Sequence, residues 1–126
     1  MSKRTAYQEE ALGGDIKNIV SFLKDNLGML MTTYISGRSD AGILKYWITG
    51  KESPTAVEEL RLRYGYWAVK LVVDAFDDET ARALFVGSNG GLGDQAPASW
   101  LRDHEKENDL KEVVGAIQSS LDGGFH

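Results

Sequence analysis

The chain has 126 residues, 42% hydrophobic and 26% charged, with no cysteine and a formal net charge of -5. That length carries one domain with a real core, or two small helical units sharing one. The composition excludes a disordered chain, the missing cysteines exclude disulfides and thiolate chemistry, and no apolar run approaches the roughly 20 residues of a membrane span.

Residues 1–14 are polar, lack the apolar core of a secretion signal, and read as a flexible lead-in. With the missing cysteines and spans, this fits a cytoplasmic location, which is the expectation. Gly13-Gly14 and then Asp15 mark the cap of a helix over residues 15–26, whose apolar positions are Ile16, Ile19, Val20, Phe22 and Leu23. Leu27-Gly28 breaks it. A second short helix over residues 29–35 carries Leu30, Met31, Tyr34 and Ile35. A turn at Gly37 follows, where a left-handed backbone is expected, and Ser39 or Asp40 is placed to cap a third helix ending at Thr49. Ile43, Leu44 and Trp47 share one face of that helix and point it inward. Arg38, Ser39, Ala41, Gly42, Lys45 and Tyr46 are left for the other face, and Arg38, Ser39, Asp40, Gly42, Lys45, Tyr46 and Lys51 are the candidate DNA-binding residues.

Two short helices joined by a tight glycine turn form the layout of a helix-turn-helix DNA reader, here residues 15–54. In that reading residues 39–50 enter the major groove. Arg38 and Ser39 stand at the entry, where an arginine can donate two bonds to guanine, and Lys45 and Lys51 contact phosphates. The charge distribution is compatible. Residues 1–66 hold nine basic and eight acidic side chains, residues 67–126 hold five and eleven, and residues 38–51 hold three and one.

Pro54 stands at the start of a long helical pattern over residues 55–75, with Gly65 inside it as a point of close helix packing. Glu58 and Glu59 favour its first turn and are within ion-pair reach of Arg61 and Arg63. Asp77 or Asp78 caps the next helix. A glycine-rich loop, residues 86–96, has Leu92 as its apolar anchor. Pro97 to Leu101 starts a short helix, a charged connection follows, and a last helix carries Leu110, Val113, Val114, Ile117 and Leu121 on one face. No strand pattern appears, so the expected fold class is all-α: a helix-turn-helix with a C-terminal helical module over residues 55–123 and a tail at 124–126. Leu92, Pro97, Trp100 and, in the tail, Phe125 are the candidate partner-binding residues, tryptophan being favoured at interface hot spots.

No catalytic, metal or cofactor site is expected. The glycine loop follows no strand and lacks the lysine and hydroxyl of a phosphate loop, and His104 and His126 are the only histidines.

The second half carries a further pattern: Asp78-Glu79-Thr80-Ala81-Arg82-Ala83-Leu84-Phe85, then Gly87-Ser88-Asn89, Leu92-Gly93 and Ala96-Pro97-Ala98-Ser99-Trp100-Leu101, then Val113-Val114 and Ile117. It resembles the toxin-binding domain of the Xre/MbcA/ParS antitoxin family, which joins an Xre-like helix-turn-helix to this module in the same order. The resemblance covers about residues 15–123. It departs at Leu84-Phe85, where the family usually has a tryptophan, and at Gly90-Gly91, where a more rigid residue is usual. It implies an antitoxin that neutralises a RES-type toxin and represses its own operon, or a phage- or prophage-borne regulator of the same architecture. The expected function is therefore sequence-specific transcriptional regulation on double-stranded operator DNA, as a homodimer. The alternative is a protein-interaction module that binds a toxin or another partner without reading DNA.

Overall fold

The computed structural model describes residues 3–123 and shows an all-α protein, with eight α-helices and one 3-10 turn among them. In chain order the helices are α1 (Lys3–Gly13), α2 (Ile16–Leu27), α3 (Met29–Ser36), α4 (Ile43–Thr49), α5 (Ala56–Ala75), α6 (Asp78–Val86), α7 (Pro97–Asp103) and α8 (Glu107–Gly123). The 3-10 turn, Gly90–Leu92, lies between α6 and α7.

The centre of the molecule is α5. Thr55 starts it with a capping box: its hydroxyl accepts from the Glu58 amide, while the Thr55 amide donates to the Glu58 carboxylate. The helix packs against α8, α2, α1, α3 and α6, so its buried residues run round most of its circumference, from Leu62 and Tyr64 through Val69 to Val72. At Gly65 a Cβ would lie 2.8 Å from Ile35 Cδ1 and 3.5 Å from Leu101 Cδ1. The glycine thus lets α3 and α7 close onto α5. One hydrophobic cluster runs from Tyr7 to Ile117 and unites both halves of the chain.

Residues 1–14 were expected as a flexible lead-in, but residues 3–13 form α1. Tyr7 and Ala11, one turn apart, enter the core beside α5. Arg63 donates to the carbonyls of Ala11 at 2.9 Å and Gly14 at 2.8 Å, Tyr66 donates to Glu10 at 2.9 Å, and the Tyr7 hydroxyl donates to Asp74. These partners lie some fifty residues or more away in sequence, which is why local patterning did not show the helix. Asp15 caps α2 as expected, accepting from the Lys17 amide at 2.9 Å.

In α3 the apolar side chains do not mark the buried face. Thr32, Thr33 and Ser36 are buried with Ile35, and their hydroxyls donate to the carbonyls of Gly28, Met29 and Thr33. Met29, Leu30 and Tyr34 face outward instead. No helix among the described residues is long and apolar enough to cross a membrane.

Candidate nucleic-acid interface

Three helices build the site. α2 packs against both α3 and α4 and braces the pair. Gly37 ends α3 at φ 98°, the left-handed turn expected there, and Gly50 ends α4 at φ 81°. Ile43, Leu44 and Trp47 hold α4 to the core. The helix is shorter than the 39–50 span expected from sequence. Neither Ser39 nor Asp40 supplies a side-chain cap. The N-cap is Gly42, with no side-chain hydrogen bond, and the approach is made by the amides of Ile43 and Leu44 donating to the carbonyls of Asp40 and Ala41.

The physical reason is Arg38. Its guanidinium takes the Asp40 carboxylate in a fork at 3.1 and 3.2 Å, lies 3.7 Å from Glu58, and sits 6.0 Å over the Trp47 ring. The hydrogen bonds from Arg38 hold the Asp40 carboxyl below its ordinary value. Arg38 and Asp40 are therefore a matched pair at the entrance of α4, with Ser39 and Gly42 exposed beside them.

The far end of α4 differs. Lys45 and Lys51 are exposed, and neither makes an ion pair among the described residues. Their ammonium groups flank the half-buried Tyr46, 5.1 and 5.3 Å from its ring centroid. Lys17 of α2 lies alongside: a Cβ at Gly50 would stand 3.2 Å from its Cδ and 3.8 Å from its Nζ. Lys17 was not singled out from sequence. Its contact with Gly50 spans thirty-three positions, and only the packing of α2 on α4 brings it there. Three lysines thus surround one glycine-ended helix, on a chain whose acidic excess lies elsewhere.

The residues expected to bind a partner separate. Leu92 and Pro97 are buried, Leu92 beneath the loop against α8, so both serve the core. Trp100 is half-buried: its indole N–H donates to the Asp109 carbonyl at 2.7 Å and its ring stacks on His104 at 4.0 Å. Phe125 lies outside the described residues. The apolar surface is instead a groove of about 340 Å³ between α3, α6 and α7, lined by Leu30, Met31, Tyr34, Phe85, Val86 and Ala98 among others. Leu30 is 80% and Val86 63% exposed. From sequence Leu30 was one of four apolar positions of α3, with no face assigned to it. The threonines of α3 were the available signal, since a hydroxyl that bonds its own helix carbonyl can be buried at little cost.

Arg63 pairs with Glu59 at 3.0 Å, as expected from their spacing. Among the described residues Arg61 joins no carboxylate. It donates to the carbonyls of His104 at 2.9 Å and Ser36 at 3.2 Å.

Comparison of the chain with protein-family models, with curated proteins and with solved structures found no match.

Proposed function

We propose that the protein is a transcriptional regulator that binds operator DNA through the exposed edge of α4. The observation that carries this reading is the pair Lys45 and Lys51, without ion-pair partners among the described residues, on either side of Tyr46 on a helix braced from behind by α2. Lysines so placed meet phosphates at no cost in broken ion pairs, and Lys17, itself 3.9 Å from the Asp15 carboxylate, stands beside the patch. Arg38 would read a base by exchanging the Asp40 carboxylate for the O6 and N7 acceptors of guanine, a swap between two bidentate partners. A single short reader gives little affinity, so the operator is read by two copies on paired half-sites.

The test is a gel-shift titration against the duplex upstream of the protein's own coding sequence, at several salt concentrations and with a scrambled competitor. Specific binding should resist the competitor. Lys45→Ala and Lys51→Ala should each weaken it and each reduce the slope of log affinity against log salt by about 0.9. Slopes unchanged in both variants would remove α4 from the interface.

A second reading is favoured by the apolar groove. Monomeric proteins seldom leave a leucine, a valine and a tyrosine together on the surface without a use for them. On this reading the groove receives a protein partner, and the resemblance to the Xre/MbcA/ParS antitoxins names a RES-type toxin as the candidate. Co-expression with the adjacent gene should then restore growth, and Leu30→Asp should abolish the rescue while the protein remains folded. Rescue that survives Leu30→Asp would place the partner elsewhere.

A further inference from the structure

The carboxyl end of α3 and the turn into α4 are held by two arginines from beyond Pro54, one on α5 and one on α7. Arg61, on α5, donates Nη1–H to the Ser36 carbonyl and Nε–H to the His104 carbonyl at the end of α7. Arg102, on α7, donates Nη1–H to the carbonyls of Tyr34 at 2.8 Å and Arg38 at 3.0 Å, and its guanidinium lies 4.6 Å over the Tyr34 ring. Neither arginine has an ion-pair partner among the described residues. Both cations stand at the last carbonyls of a helix and the negative end of its dipole, so the contacts are favourable in charge as well as geometry. Gly37 is what admits Arg61: a Cβ there would lie 2.5 Å from Arg61 Nη1.

We propose that Arg61 and Arg102 form a clamp through which the C-terminal helices fix the α3–α4 turn, making operator affinity depend on residues that touch no DNA. The inference rests on the reading of α4 as the DNA-binding edge. Arg38 is the link. Its carbonyl is held by Arg102 while its side chain meets Asp40, so the position of the base-reading group is set from α7. Arg61 and Arg102 are positioning residues in this scheme.

The experiment compares Arg102→Ala and Arg61→Lys with the intact chain by amide hydrogen exchange and by the salt-resolved DNA titration. A lysine at 61 keeps the charge and most of the stem but lacks the planar fork that reaches two carbonyls at once. In both variants the amides of Gly37, Arg38 and Ile43 should exchange about tenfold faster, while those of α8 are unchanged. Operator affinity should fall by a similar factor with the salt slope unaltered, because no phosphate contact is lost. Unchanged exchange in the turn would overturn the clamp whatever the DNA result. A slope reduced by about one in Arg102→Ala would overturn it too, since Arg102 would then be a phosphate ligand. If the intact chain binds no operator, the DNA reading fails, and faster exchange of the three amides would still support the clamp.

Discussion

Gly37 carries two requirements at one position. Its φ of 98° disfavours any side chain, and the space a Cβ would take holds Arg61. Gly37→Ala should therefore destabilise the fold by about 1–3 kcal/mol, and urea unfolding would measure it. A loss below about 0.5 kcal/mol would mean the turn relaxes freely. The backbone need was legible in sequence, because a glycine between two helical patterns invites a left-handed turn. The arginine was not, because Arg61 sits one helical turn from Glu58 and local spacing assigns it an ion pair. Long-range carbonyl contacts have no sequence period. The same limit hid Arg102, whose partners are sixty-four and sixty-eight positions away.

At the scale of elements, α1 shows how polar contacts fasten a helix with few apolar residues. The phenol of Tyr7 donates to Asp74 and that of Tyr66 to Glu10. Tyr7 is pushed up to about 12 first by its hydrogen bond to Asp74 and then by burial, and Tyr66 to about 12 first by burial and then by its bond to Glu10. In both, the folded value lies above the ordinary 10.0, so the folded state holds the proton more tightly. That stabilisation is complete below pH 10.0, declines as the unfolded chain ionises, and is gone once pH passes about 12. Stability measured by urea unfolding should fall across this window, and Tyr7→Phe should flatten part of the fall. A fall of equal size in Tyr7→Phe would detach the effect from α1. The element boundaries of α3, α5 and α6 were largely legible, since each has a cap or a breaker in sequence. The face that α3 buries was not, because its hydroxyls satisfy themselves within the helix and so compete with leucine for the interior.

Over the whole molecule, the all-α class followed from helical periodicity and the absence of any alternating segment. The division at residue 54 was read from Pro54 and the loop before it, yet α5 beyond that point is the scaffold for α1, α2 and α3. The two halves share one core, so the proposed DNA-binding edge has no independent foundation. The exposure of Lys45 was legible from the apolar face opposite it, and Lys51 is exposed in the loop beyond, with the half-buried Tyr46 between them in sequence. Lys17 and the groove required the packing of separate elements, which no single stretch of sequence displays.

The fastening of α1 has a consequence for biosynthesis. Synthesis runs from the N-terminal side, so residues 3–13 emerge before α5, the helix that receives them. Arg63, Tyr66 and Asp74 follow some fifty to seventy residues later, and closing loops of that length is slow compared with winding a helix. α1 is thus made well before the helix that secures it. During that interval Tyr7 and Ala11, both destined for the interior, remain open to chaperones and proteases.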